Sequence, residues 1–116
     1  MELLAVTDDA VEQFSADIPE LMWSTGPISY EYHFGTRELF NAVALGSWRH
    51  RGSLFGFDAA TVAVEEGQFM GVEIGMNGAE YRERQAALGP VWQKLIADGD
   101  IDRDVIPGVL QRSCLL

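Results

Sequence analysis

Four consecutive residues able to bind or react with a ligand lie in the first third of the chain. They are Tyr30, Glu31, Tyr32 and His33. A histidine beside a carboxylate can carry a proton near neutral pH, and segments that mix aromatic and ionisable residues often line binding sites. We therefore predict an aromatic, acidic binding pocket here. The alternative is that this segment only closes the end of the hydrophobic core.

The other ionisable residues have simpler structural interpretations. The imidazole of His50 follows a predicted helix and suits its negative end. Glu73 is a candidate base only if its strand turns it inward, and an outward orientation is the ordinary one. Asp58 is expected to cap a turn. The acidic residues between 98 and 104 lack the glycine and glutamate of a calcium loop, so they are interpreted as helix caps.

Net charge narrows the classes of partner. The chain has 18 acidic and 8 basic residues, which gives a formal charge of -10. Such a field repels nucleic-acid phosphates and anionic membrane surfaces. We therefore expect no nucleic-acid or membrane partner, and a small cationic ligand or a basic protein surface fits better. Solubility alone is the alternative explanation of the charge.

Length and composition predict a single domain over residues 1–116. A chain of 116 residues can bury a modest core. No apolar run approaches the roughly 20 residues that cross a bilayer, and Met1 is not followed by a secretion signal, so a cytoplasmic protein is expected. The single cysteine, Cys114, cannot form an internal disulfide or a zinc cluster.

The predicted helices surround the aromatic segment. Thr7 is a candidate cap for a first helix, which Pro19 should kink or break near Ile18. Residues 24–27 are interpreted as a loop and residues 30–35 as irregular. Thr36 should cap a second helix with a buried stripe that ends near Trp48.

A β-hairpin is predicted over about residues 59–76. Glu66 and Gly67 have the character of a two-residue turn, which would place Val64 opposite Phe69 and Val62 opposite Gly71. The second strand carries few charges between residues 70 and 76, so we expect both of its faces to be covered. With an N-terminal strand at about residues 2–6, the hairpin forms a short antiparallel sheet.

Two more helical regions complete the prediction. Asn77 and Glu80 have the spacing of a capping box, and the pair Gly89-Pro90 should bend or split the helix that follows. Asp102 is a candidate cap for the last helix. The fold class is therefore α+β, with a short antiparallel sheet packed by four to five helices.

The order of these elements, with two sequence segments, carries a family resemblance. The segments are Leu21-Met22-Trp23-Ser24-Thr25-Gly26-Pro27, and Glu73-Ile74-Gly75 leading into Tyr81-x-x-Arg84. The chain resembles the N-terminal half of one branch of the GNAT N-acetyltransferase superfamily. This resemblance implies a partial GNAT-like fold. It also implies that Trp23 and residues 30–33 lie on the acceptor-substrate side of the family's cleft.

The resemblance stops before the family's cofactor motif. Its members hold the acetyl-coenzyme A pyrophosphate at a helix N-terminus, in a turn of the form Arg/Gln-x-x-Gly-x-Gly/Ala. That turn is absent from this sequence, which ends at Leu116, so a truncated relative without cofactor or catalytic residues is expected. The strand at Gln68–Met76 would then keep an open edge, which favours a homodimer through that edge.

Three functional hypotheses follow. The first is a homo-oligomeric module that binds a small molecule or a protein and has no acetyltransferase activity. The second is an enzyme that acts only with a partner supplying the cofactor-binding half. The third is a folded remnant without activity.

Overall fold

The computed structural model describes residues 1–113, so Cys114 lies outside the described residues. Short 3-10 turns at Asp8–Ala10, Phe57–Ala59 and Arg103–Val105 accompany the main elements. The strands and helices, in chain order, are β1 (Glu2–Ala5), α1 (Val11–Phe14), α2 (Ile18–Ser24), α3 (Pro27–Phe34), α4 (Arg37–Arg49), β2 (Ala60–Glu65), β3 (Gln68–Ile74), α5 (Gly78–Ala86), α6 (Leu88–Ala97) and α7 (Ile106–Ser113).

The strands form one antiparallel sheet in the order β1-β2-β3. β2 is central, because β1 pairs with one of its edges and β3 with the other. The outer edge of β3 has no partner strand within residues 1–113. The chain is thus α+β with a short antiparallel sheet, as predicted.

The hairpin turn between β2 and β3 forms as the sequence indicates. Glu66 and Gly67 both adopt positive φ, at 51° and 79°, which suits a two-residue hairpin. Val64 faces Phe69 as predicted, but Val62 faces Val72 and not Gly71. The reason is a β-bulge beside Ala63 and Val64, which inserts one extra residue into β3.

The prediction that both faces of β3 are covered is wrong. Met70 is 54% exposed, and the side chain of Glu73 is exposed. Phe69, Val72 and Ile74 pack against the core instead. β3 therefore alternates between a core face and a solvent face, and Glu73 belongs to the solvent face.

The first helical region is divided where Pro19 predicts. α1 ends at Phe14, and α2 begins at Ile18 with Pro19 in its first turn. The predicted side-chain cap at Thr7 is wrong. Its carbonyl accepts the Ala10 N–H at 2.9 Å, so a tight 3-10 turn satisfies that donor in place of the hydroxyl.

The segment predicted to be irregular at residues 30–35 is the helix α3. Pro27 occupies the first turn, where its fixed φ suits a helix and its missing N–H costs no hydrogen bond. Gly35 ends α3 with a φ of 82°, and its N–H donates to the Glu31 carbonyl at 2.8 Å. The predicted loop at residues 24–27 shrinks to Thr25 and Gly26, which separate α2 from α3.

Three other predicted caps are confirmed. The Thr36 hydroxyl accepts the Leu39 N–H at 3.1 Å at the start of α4. Asn77 accepts the Glu80 N–H at 2.8 Å at the start of α5. Asp102 accepts the Asp104 N–H at 2.9 Å before α7. The helix containing Gly89-Pro90 is split, since α5 ends at Ala86 and α6 begins at Leu88.

Helix α4 connects two groups of buried side chains. One face carries Phe40, Ala44 and Trp48 into the core beneath the sheet. Leu39 and Val43 pack instead against α6 and α7. The Trp48 indole N–H donates to the Val11 carbonyl at 3.0 Å, so the largest buried ring also satisfies its polar atom.

Gly46 sets the distance between α4 and α6. A Cβ at this position would lie 3.1 Å from Val91 Cγ1 and 3.2 Å from Leu95 Cδ1. We expect Gly46→Leu to lower the unfolding free energy by about 1–3 kcal/mol, because the two helices must separate. Urea denaturation followed by circular dichroism measures this loss. Gly78→Leu is the control, since a Cβ there meets no atom within 4 Å, and an equal loss in both variants would contradict close packing at Gly46.

Candidate functional site

Two of the five predicted site residues belong to an aromatic cluster that α2, α3 and α4 form together. The Tyr30 ring lies 4.5 Å from the Phe40 ring, and the Trp23 ring lies 5.2 Å from it. Trp23 and Tyr30 stack at 6.4 Å. The Arg37 guanidinium lies over the Trp23 ring, at 4.8 Å from its centre. Trp23 and Tyr30 are therefore half-buried parts of the core border.

The other three predicted site residues point elsewhere. Glu31 is exposed, and Tyr32 is 49% exposed. The His33 ring lies 5.3 Å from the Tyr32 ring, and its buried Nδ1 has no hydrogen-bond partner within residues 1–113. The Arg112 side chain donates to the His33 carbonyl at 3.0 Å and so attaches α7 to α3. The helical turn of α3 separates these side chains, so the five residues do not line one pocket.

A large groove lies beside the outer edge of β3. Its volume is about 870 Å3, which is within the range of small-molecule sites. Leu21, Met22, Ser24 and Thr25 of the α2 region form one wall, and Tyr30 contributes from α3. The opposite wall comes from β3 and the residues after it: Gly71, Val72, Ile74, Gly75, Met76 and Tyr81. Most of these side chains are apolar, and Tyr30 is the predicted site residue that reaches the groove.

The loop that completes the groove is fixed by a nearly buried ion pair. Leu54 and Phe55 line the groove. Just before them, the Ser53 carbonyl accepts a hydrogen bond from Arg84 Nη1 at 3.0 Å. Arg84 also binds Asp58 through both terminal nitrogens, at 3.1 and 2.8 Å. Arg84 and Asp58 are 13% and 18% exposed, so α5 holds this loop through a largely desolvated, bidentate contact.

The electrostatic surroundings of Asp58 keep it ionised. Burial by itself would raise the pKa of this carboxyl group. The hydrogen bonds from Arg84 and from the Gly52 N–H, at 2.9 Å, outweigh burial and lower the pKa of Asp58 below its ordinary value. Asp58 therefore caps a turn as predicted, and in addition it forms the ion pair with Arg84.

Buried hydroxyl groups support the same loop from the side of α4. Ser47 and Ser53 are completely buried, and their hydroxyl oxygens lie 2.7 Å apart. Ser47 Oγ also accepts the Phe55 N–H at 2.9 Å. The loop is thus held at Ser53 and Phe55 by polar contacts that are shielded from water.

Sequence reasoning missed the groove because packing creates it. One signal was present, since the Tyr81-x-x-Arg84 segment carries both a groove residue and the arginine that fixes the loop. The pairing of Arg84 with Asp58, however, depends on how α5 returns across the loop before β2. Successive residues of a helix point in different directions. A helix at α3 therefore separates the side chain of Tyr30 from those of the residues that follow it in sequence.

A smaller cavity of about 280 Å3 lies between α4 and α6. His50 lines it together with several charged residues. The Arg49 guanidinium there binds Glu12 at 2.9 and 2.7 Å, and Lys94 binds Asp98 at 3.2 Å. Because Arg49, Lys94 and Asp98 are engaged in ion pairs and the cavity is about a third as large, the groove beside β3 is the stronger candidate site.

Residues 1–113 have no group of three or more His, Cys, Asp or Glu side chains placed to hold a metal ion. None of the helices in that part of the chain combines the length and the apolar character needed to span a membrane.

Comparisons of the chain with protein-family models, with curated proteins and with solved structures found no match in any of the three.

Proposed function

We propose that this protein is a binding module, without acetyltransferase activity, that holds its ligand in the groove beside β3. The observation that carries the proposal is the groove itself: an apolar space of about 870 Å3 bordered by a strand edge that has no partner strand within residues 1–113. Its walls are positioned by a helix pair, by a strand and by an anchored loop. Such a preformed space binds a ligand without a large ordering cost.

The proposal includes an origin in the GNAT superfamily. It is supported by the order in which β1, a helical region and an antiparallel hairpin follow one another. In the sheet, β1 and β3 flank β2. The family's phosphate-binding turn has no counterpart in this sequence, so we do not assign acetyl-coenzyme A to the groove.

The walls and the charge indicate which chemical groups a ligand of the groove carries. Apolar and aromatic side chains dominate the lining, and the chain carries a net charge of -10. A small molecule that joins an aromatic ring to an amine satisfies both features, because burial favours the ring and the field attracts the amine. Phenethylamine is a simple probe of this class.

Titration of the labelled protein with phenethylamine, followed by amide NMR, tests the groove. We expect concentration-dependent shifts at Val72, Ile74 and Tyr81, with smaller shifts for the uncharged analogue 2-phenylethanol. Shifts scattered over the surface, or none at millimolar concentration, would contradict the proposal. Acetyl-coenzyme A is expected to give no binding heat in calorimetry, and tight binding would favour the partner-dependent enzyme.

Tyr81 and Tyr32 offer a matched pair of variants for this experiment. Tyr81 lines the groove and is 47% exposed, whereas Tyr32 is 49% exposed and does not line it. We expect Tyr81→Ala to weaken phenethylamine binding at least threefold, because apolar wall surface is lost, and Tyr32→Ala to change it little. Equal binding by both variants would place the ligand outside the groove.

The homodimer through the edge of β3 stays a prediction. It would use the backbone groups that border the groove, and it would bring two chains of net charge -10 together. Light scattering at micromolar concentration measures the oligomeric state directly.

A further inference from the structure

The outer edge of β3, which has no partner strand in the described part of the chain, presents backbone hydrogen-bonding groups beside the groove. The Gly75 N–H donates to the Ala59 carbonyl at 3.1 Å, which fixes the phase of the ladder. Thr61 faces Glu73 in the same register. In an antiparallel pair, alternate residues turn their N–H and C=O groups towards the partner strand. The backbone N–H and C=O groups of Glu73 and Gly75 therefore point towards β2, whereas those of Val72 and Ile74 point outwards.

The spacing of these outward groups matches an extended polypeptide. Val72 and Ile74 are two residues apart, and a strand rises about 3.3 Å per residue. Each residue offers one donor and one acceptor, so the edge presents two donor–acceptor pairs roughly 7 Å apart. An incoming strand repeats donors and acceptors at this interval, and strand addition to a free sheet edge is a known mode of peptide recognition.

The groove walls can receive the side chains of such a strand. Met22 and Tyr30 lie on the helical side of the groove, and Phe55 and Tyr81 lie near its other border. Alternate side chains of an extended peptide point to opposite faces. An apolar residue at every second position would therefore meet these walls.

The charges near the groove favour a basic peptide over a second copy of this chain. Glu31, Glu73 and Glu80 are exposed, and each is next in sequence to a residue that lines the groove. Arg82 is the one basic residue in such a position within residues 1–113. Two copies of this acidic chain repel each other, whereas lysine and arginine side chains are attracted.

We propose that the groove takes an extended peptide segment of a partner protein, which pairs with the Val72 and Ile74 backbone and alternates apolar with basic side chains. This inference rests on the proposed binding function and names the class of its natural ligand.

An eight-residue peptide of alternating valine and lysine, blocked at both ends, is the probe. Hydrogen exchange measured by NMR should slow at the Val72 and Ile74 amides when the peptide binds, and the Glu73 amide serves as an internal control. A peptide with glutamate in place of lysine should bind at least tenfold more weakly. Unchanged exchange at Val72 and Ile74, or equal binding of the acidic peptide, would overturn the proposal.

Removal of a single edge donor provides the second test. Val72→Pro deletes the outward N–H, and Val72→Ala loses core contacts while it keeps that N–H. We expect the proline variant to bind the peptide about tenfold more weakly than the alanine variant. A second peptide carries methyl groups on those backbone nitrogens that would donate to β3. It should bind the unaltered protein about tenfold more weakly than the unmethylated peptide. This measurement tests the inference even if the proline variant fails to fold. Equal binding of methylated and unmethylated peptides would overturn the inference.

The two proposals fail in different ways. Groove shifts with phenethylamine but no exchange protection by the peptide would remove the peptide inference and keep the binding module. Protection of Val72 and Ile74 in the protein alone, with a dimer mass in light scattering, would assign the edge to a second copy and overturn the inference.

Discussion

Phe40→Ala is expected to lower the unfolding free energy by about 3–5 kcal/mol, the usual cost of removing a buried phenylalanine ring. Phe40 is completely buried. Its ring contacts Trp23, Tyr30 and Phe34 at centre distances of 5.2, 4.5 and 5.4 Å. A domain of this size has roughly 5–15 kcal/mol in total, so this variant should be close to unfolding at room temperature. Urea denaturation followed by tryptophan fluorescence measures the loss.

Tyr32→Ala is the matched control for Phe40→Ala. Tyr32 also lies on an aromatic-rich helix, but it is 49% exposed. We expect its replacement to change the unfolding free energy by less than about 0.5–1 kcal/mol. Similar losses in the two variants would show that the aromatic cluster is not centred on Phe40. Because Tyr30 packs on Phe40, the Phe40 variant should also bind the groove ligand more weakly.

Asp58→Ala is expected to cost about 3 kcal/mol, the typical result of leaving one partner of a buried pair uncompensated. Arg84 would keep the Ser53 carbonyl as a partner but lose both contacts to the carboxylate. Asp8→Ala is the control, since Asp8 and Arg51 form an ion pair whose side chains are 72% and 62% exposed. Exposed pairs contribute about 0–1 kcal/mol. Denaturant unfolding of both variants at neutral pH makes the comparison.

The same ion pair predicts a pH dependence of stability. The pKa of Asp58 is lower in the folded protein than its ordinary value. The contribution of ionised Asp58 to the unfolding free energy is therefore fully present above the unfolded pKa of about 3.9. This contribution is lost as the pH falls through the lower pKa of the folded protein. The difference in unfolding free energy between wild type and Asp58→Ala should stay constant from pH 7 to about 5 and shrink below about 4. A difference that grows on acidification would contradict the direction of the shift.

Local rules predicted most of the elements, because the groups involved are close in sequence. Pro19 divides α1 from α2, Thr36 and Asn77 cap their helices, and Glu66-Gly67 turns the hairpin. In each case the hydrogen bond or dihedral angle that decides the structure involves residues at most four positions apart. The α+β class followed from the order of these elements.

The site was less predictable, because it depends on contacts between distant segments. The composition of residues 24–27 predicts a loop, although Pro27 also suits the first turn of a helix. The helix that it begins separates Tyr30 from Tyr32. The bulge that moves Val72 opposite Val62 is set by strand pairing. Arg84 meets Asp58 only after the hairpin and α5 have packed. These features follow from tertiary packing, which can override local preference.

The β-bulge in β3 leaves Met70 without a partner residue in β2, so the hairpin could lose Met70 and keep its present strand pairing. Phe69 already faces Val64 and Gly71 faces Ala63. Deletion of Met70 would therefore leave a continuous ladder, and all the remaining side chains would keep their present faces. The flatter strand that results would have a straighter free border, which joins other strands more readily. We therefore expect deletion of Met70 to raise the tendency of this border to pair with other chains, which light scattering of the deletion variant measures.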